Sequence, residues 1–181
     1  IFGKLTASLY YKPENLENWC VILANLIRIL GTDSCGLMDK CVTLLNDALR
    51  KLDYTVDYSY TCNMILKVFE EYFKVNSTFL ENVEMQDKLV AMQEVSLKLI
   101  RDLKFLLSKD FISVQYFTLC VLDRALPFLS QAKTEFLPIV NEYWVFLMEK
   151  IRSSFGEGDN KTKSIIAENC LNIITKFCNY C

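Results

Sequence analysis

The stretch from Ser113 to Ile151 constrains the fold more than any other part of this chain. It reads SVQYFTLCVLDRALPFLSQAKTEFLPIVNEYWVFLMEKI, two apolar-faced helical segments joined by a short polar hinge, SQAK. Each half holds one proline. Pro127 falls near the end of the first helix and Pro138 near the start of the second, where the ring shapes an end or a bend. On a wheel of about 100° per residue, Leu137, Val140, Trp144, Leu147 and Ile151 make one face of the second helix. Phe136, Ile139, Tyr143 and Phe146 make another face directly beside it, and Glu135, Asn141, Glu142 and Glu149 keep only the remaining arc. An apolar arc of about 200° is more than one partner helix covers. It predicts a helix touching its hairpin partner and the hairpins stacked on either side.

The rest of the chain repeats this grammar. Ile1 to Tyr11 is a short apolar segment stopped by Pro13. A helix follows from about Asn15, with Leu16, Trp19, Cys20, Leu23, Leu26, Ile27 and Leu30 on one face and Gly31 ending it. Thr32-Asp33-Ser34 offers caps for the next helix, which lines up Leu37, Cys41, Leu44, Leu45, Ala48, Leu49 and Leu52. Tyr58, Cys62, Ile65, Leu66, Phe69 and Phe73 mark another. Residues 75–86 are polar and read as a loop or a helix entry. A long helix then runs to Leu107, broken by Ser108-Lys109-Asp110. Residues 155–161, FGEGDNK, are the clearest hinge, and Ile166, Cys170, Ile173, Ile174 and Phe177 belong to a last helix.

No strand alternation is present. The pattern predicts an all-α chain of about eight antiparallel helices, or about four pairs, stacked as one α-solenoid domain over residues 1–181. Helix pairs recur at roughly 40 to 57 residues, loosely matching the period of HEAT-type repeats. A compact helical bundle is the competing architecture. Because the chain opens on Ile1, it is expected to be part of a longer solenoid.

Composition removes several function classes. Apolar residues make up 52% and there are five glycines and three prolines, which excludes a disordered chain and disfavours a loop-rich β fold. A net charge of −2 provides no basic field for nucleic acid. No window is expected to reach the roughly 18 uninterrupted apolar residues of a membrane span. Eight cysteines and the sequons Asn76-Ser77-Thr78 and Asn160-Lys161-Thr162 would fit a secreted protein. However, Cys20, Cys41, Cys62, Cys120 and Cys170 sit among apolar residues at helical spacing, where free cysteine packs as a small hydrophobe. A reduced, intracellular chain is expected, and the sequons then read as chance matches.

There is no histidine. That removes Ser-His and Cys-His nucleophile systems, histidine general bases and histidine metal ligands together. Cys178-Asn179-Tyr180-Cys181 is formally a C-x-x-C, but it lies at a helix C-terminus, where the dipole disfavours thiolate. The scattered glycines make no phosphate loop. Adjacent acids such as Glu70 and Glu71 point in different directions on a helix. The expectation is no enzyme, no cofactor and no metal.

Two segments go beyond a generic helical repeat: DSCGLMDKCVTLLNDALRKLDY (residues 33–54) and VLDRALPFLSQAKTEFLPIVNEYWVFLMEKI (residues 121–151). The second carries Ala125, Leu126, Pro127 and Leu129, then Leu137, Pro138, Ile139, Val140 and Trp144. This resembles the C-terminal HEAT-repeat region of the Tti-one subunit of the Tel–Tti–Tti (TTT) co-chaperone complex. The resemblance implies a non-catalytic scaffold that binds the Tel and second Tti subunits. With HSP90-linked machinery, that complex supports maturation of PI3-kinase-like kinases of the TOR, ATM and ATR group. A cytoplasmic location, extending to the nucleus, goes with it.

A scaffold of this kind presents an apolar ridge with a charged rim to its partners. The residues expected on that ridge are Phe136, Ile139, Tyr143 and Phe146, with Ile166, Ile173 and Phe177 on the last helix as a second exposed end. The alternative function is a HEAT-type transport or trafficking adaptor binding peptides or small GTPases, which an acidic concave groove would favour. A compact secreted helical factor is a third class and predicts disulfides.

Overall fold

The computed structural model describes residues 13–53, 57–77, 80, 86–155 and 161–181. The expected segment Ile1–Tyr11 lies outside them, as do parts of the expected loop 75–86 and most of the expected hinge 155–161. The protein is all-helical. Among the described residues there are seven α-helices and no strand: α1 (Pro13–Leu30), α2 (Cys35–Lys51), α3 (Ser59–Asn76), α4 (Gln86–Leu103), α5 (Ile112–Leu129), α6 (Lys133–Ser154) and α7 (Lys161–Tyr180). Two short 3-10 turns, Gly31–Ser34 and Lys104–Ser108, complete it.

Local chemistry explains most boundaries. Pro13 is the first residue of α1, where its missing N–H costs nothing. Gly31 follows α1 with φ of 54°, a left-handed conformation open to glycine without penalty. The cap expected at Ser34 does not form. Ser34 is already helical and makes no side-chain cap bond, because the 3-10 turn runs directly into α2. Its hydroxyl instead accepts a bond from Asn76 Nδ2 at 2.9 Å. Pro127 and Pro138 both lie inside their helices. Pro127 is two residues from the end of α5, and Pro138 sits on the exposed side of α6, where water can reach the carbonyl it leaves unpaired.

The chain packs as two compact units, residues 1–91 and 92–181, with the boundary inside α4. In the first unit α1 packs most extensively on α3. Leu16, Cys20, Leu23 and Ile27 form the buried stripe of α1, and Cys62, Ile65, Leu66, Phe69, Tyr72 and Phe73 that of α3. The two helices run side by side in the same direction. Thr61 donates to Glu17 near their starts, the Arg28 guanidinium pairs with Glu71 farther along, and Asn76 meets Ser34 beyond the end of α1. These partners are 44, 43 and 42 positions apart. The inward face of α2 is Met38, Cys41, Val42, Leu45 and Leu49. Leu37 and Leu44, expected there, are only half-buried, a small rotation about the helix axis.

In the second unit, α6 and α7 form an antiparallel pair. Phe136 at the start of α6 meets Phe177 and Tyr180 at the end of α7 edge to face, with centroids 6.0 and 6.3 Å apart. The α5 helix meets α7 far more than it meets its sequence neighbour α6. These two also run parallel: Ile112 and Tyr116 lie by Ile165 and Ile166, and Lys176 reaches Asp123 at 2.6 Å. The end of α4 lies along α6, joined by Arg101–Glu135, by Lys104–Glu142 and by the Tyr143 hydroxyl donating to the Ile100 carbonyl at 2.6 Å. That last pair is 43 positions apart.

Candidate protein-binding surfaces

The expected apolar ridge is turned inward. Phe136, Ile139, Tyr143, Ile166, Ile173 and Phe177 are all buried within the second unit, and only Phe146 is partly exposed. Phe136 and Phe177 stack on each other, so the first expected face of α6 and the expected free end of α7 cover one another. Tyr143 is held by its hydroxyl bond to α4, and burial pushes its phenol well above the ordinary range. Phe146 carries the Lys150 ammonium 5.2 Å from its ring centroid. Six of the seven residues expected on the ridge are thus buried within the unit, because α6 and α7 turn these faces toward one another and toward α4.

The buried stripe of α6 is Phe136, Ile139, Val140, Tyr143, Leu147 and Ile151. The apolar excess that the sequence shows is real, but it emerges on the other flank. Leu137 is 55% exposed, Trp144 38% and Val145 71%, and these positions share one side of the helix. No property of the sequence alone separates the flanks, since both are apolar.

A second apolar surface lies on α1 and was not anticipated. Val21, Ile22, Leu26, Ile29 and Leu30 are all exposed, with Ile29 at 79%. The polar neighbours on this side, Asn15, Asn18 and Asn25, are uncharged, and the exposed Arg28 is tied to Glu71 across α3. That pair holds the Glu71 carboxyl below its usual range through the guanidinium hydrogen bond. By length and composition alone, residues Asn15–Lys51 and Ile112–Leu129 are apolar enough to cross a membrane, contrary to the expectation of no such window. For α5 the run is core, being more than half buried in the unit.

A groove opens where the N-terminal turns of α5 and α7 meet the C-terminal turns of α6. Ile112, Ser113, Tyr116, Ile165 and Ile166 line an apolar space of about 490 Å³. It continues past Ile112 and Ile166 to Gln115, Lys150, Ser153 and Lys163. Gln115 is held by donating to the Leu107 and Lys109 carbonyls at 3.1 and 2.7 Å. The lining is therefore mostly aliphatic and aromatic, with Lys150 and Lys163 among the residues that border it.

The thiols divide by position. Cys20, Cys41, Cys62 and Cys170 are buried, Cys178 and Cys181 are exposed, and no disulfide joins any of the eight. Burial pushes the Cys20 and Cys170 thiols up to about 12 and Cys41 to about 11. Such thiols are inert packing groups. Among the described residues no cluster of three or more Cys, Asp or Glu side chains is arranged to hold a metal ion. The sequon asparagine Asn76 is fully buried, and its Nδ2 donates to Ser34 and to the Tyr72 carbonyl. Asn160 lies outside the described residues. Comparison of the chain with protein-family models, with curated proteins and with solved structures gave no match.

Proposed function

We propose that this chain is a non-catalytic scaffold built of HEAT-like helical pairs. In this reading it binds other helical-repeat subunits, as the Tti-one C-terminal region that it resembles does in the TTT co-chaperone. It thereby supports the maturation and stability of PI3-kinase-like kinases.

One observation carries the repeat reading. Helices two apart in sequence pack side by side in the same direction, as α1 does on α3 and α5 on α7. The bonded partners Arg28–Glu71 and Ile100–Tyr143 are each 43 positions apart, and Asp123–Lys176, between α5 and α7, are 53 apart. Stacked hairpins produce this arrangement, because equivalent helices of successive repeats lie alongside one another, and HEAT-type repeats recur at about 40–47 residues. In an up-and-down bundle, sequence neighbours would be the main packing partners. Here α1 packs mainly on α3, α5 meets α7 far more than α6, and α6 and α7 are the sequence neighbours that pair.

The scaffold reading draws on the exposed apolar residues Leu137, Trp144 and Val145, which give a partner helix something to bury. The groove is flanked by Lys150 and Lys163 rather than by acids, so the adaptor alternative gains nothing from it. The test is affinity purification of the full-length protein with identification of what co-purifies. Tel-like and Tti-like helical-repeat subunits are expected, at constant stoichiometry. A protein recovered alone at physiological salt, while helical and monodisperse, would end the scaffold reading.

A further inference from the structure

We infer that the groove between the first turns of α5 and α7 and the last turns of α6 is a docking site for an acidic amphipathic segment of a partner protein. The inference rests on the scaffold reading above and names the chemistry that one of its surfaces would take.

The argument starts from the groove's asymmetry. Its apolar wall is Ile112, Tyr116, Ile165 and Ile166, and two of these isoleucines, Ile112 and Ile165, remain 45% and 41% exposed. A volume of about 490 Å³ lies within the range of pockets that take a ligand or an anchor side chain, about 300–1,000 Å³. Apolar surface left open beside a built cavity is stabilised by whatever covers it. The polar part of the lining sets the sign of the occupant. Lys150 and Lys163 both border the groove, and among the described residues its lining includes no carboxylate.

Backbone polarity points the same way. The α5 and α7 helices run parallel, so their N-terminal ends open on the same side, and both ends carry partial positive charge. The N-cap of α5 is Phe111, which supplies no side-chain cap. An occupant with one or two aliphatic or aromatic anchors, followed by Asp or Glu, would bury Ile112 and Ile165 and place carboxylates against the lysines. A basic or neutral segment would leave both ammonium groups facing like charge or none.

The probe is a fluorescein-labelled amphipathic helical peptide with Leu at i, i+4 and i+7 flanked by Glu. Its control is the same peptide with every Glu replaced by Lys. Fluorescence anisotropy with the purified chain should show binding of the acidic peptide that weakens with added salt. Binding should fall about tenfold or more in K150E/K163E and also in I112S/I165S, while N141A, at an exposed position in the middle of α6, leaves it unchanged. Circular dichroism of each variant checks that it remains helical, and K163Q, at an exposed position, serves if K150E perturbs the fold.

Equal affinity for both peptides, or acidic-peptide binding untouched by K150E/K163E, overturns the proposal. So does concentration-dependent dimerisation in sedimentation that I112S/I165S abolishes, since the occupant would then be a second copy of the chain. If the full-length K150E/K163E protein keeps all its partners and the peptide does not bind, this groove is excluded while the scaffold reading stands. Loss of partners from the unmodified protein would instead remove the scaffold reading.

Discussion

The Tyr143 hydroxyl donates a 2.6 Å hydrogen bond to the backbone carbonyl of Ile100, in the last turn of α4. The ring is 1% exposed, so the bond forms in a site that water does not reach. A buried phenol needs an acceptor, and a helix carbonyl has a second lone pair that can take its proton. The bond lies on the buried face of α6, which also carries Phe136, Ile139, Val140, Leu147 and Ile151.

Replacing Tyr143 separates its two contributions. Tyr143→Phe keeps the ring and loses the bond, and urea unfolding should show a loss of about 1 kcal/mol. Tyr143→Asp puts a carboxylate into the same enclosed position, and the loss of several kcal/mol should leave little folded protein. A Tyr143→Asp protein with unchanged helicity and melting would mean that the residue is not core.

The two flanks of α6 should respond in opposite ways. Phe136→Ala empties a site closed by Phe177 and Tyr180, and a cost of about 3–5 kcal/mol is expected from chemical denaturation. Leu137→Ser and Val145→Ser change exposed positions and should stay within about 0.5 kcal/mol. If Leu137, Trp144 and Val145 form a partner surface, the double variant L137S/V145S should lose co-purifying subunits while keeping its unfolding curve.

Thiol chemistry follows burial. With a thiol-specific chromogenic reagent, Cys178 and Cys181 should react first, while Cys20, Cys41, Cys62 and Cys170 wait for unfolding. Stability should also depend on alkaline pH. An unfolded thiol ionises near its ordinary 9.0, while folded Cys20 and Cys170 hold their protons to about 12 and Cys41 to about 11. The unfolded chain therefore binds fewer protons in that window, so the stability contributed is fully present below pH 9 and declines above it. Melting temperatures measured across pH 7 to 11 check the sign, and a rise above pH 9 would contradict it.

Asn76 should behave as a structural residue rather than a glycosylation site. Its Nδ2 makes two buried bonds, at 2.9 Å to Ser34 Oγ and 2.8 Å to the Tyr72 carbonyl. Asn76→Ala should cost about 1–3 kcal/mol. A glycan on that nitrogen is incompatible with this packing. Folded protein recovered from a glycosylating host should show an unmodified Asn76 by peptide mass spectrometry.

The helices were legible because their signals are local. Of the face expected on α1, the structure buries Leu16, Cys20, Leu23 and Ile27, half-buries Trp19 and leaves Leu26 and Leu30 exposed, and Pro13 and Gly31 bracket the helix. The polar hinge at residues 130–133 likewise falls at the junction of α5 and α6. The cap at Ser34 was misread because Ser signals a helix start by type, whereas here a 3-10 turn carries the chain across without a break. The missed surface on α1 had a signal of its own: Val21, Ile22, Leu26 and Ile29 are apolar beyond what one buried stripe needs.

By itself the sequence determined an all-helical chain, where most helices begin and end, and that α6 holds more apolar surface than its own packing consumes. The opening stretch, Ser113 to Ile151, already carried that excess. Only the tertiary structure decided which flank of α6 is core. Burial free energy follows apolar area rather than residue identity, so two adjacent apolar faces on one helix are nearly equivalent until partners arrive. The partners were α7, through Phe177 and Tyr180, and α4, through one backbone carbonyl. They drew Phe136 and Tyr143 inward and left Leu137, Trp144 and Val145 outside.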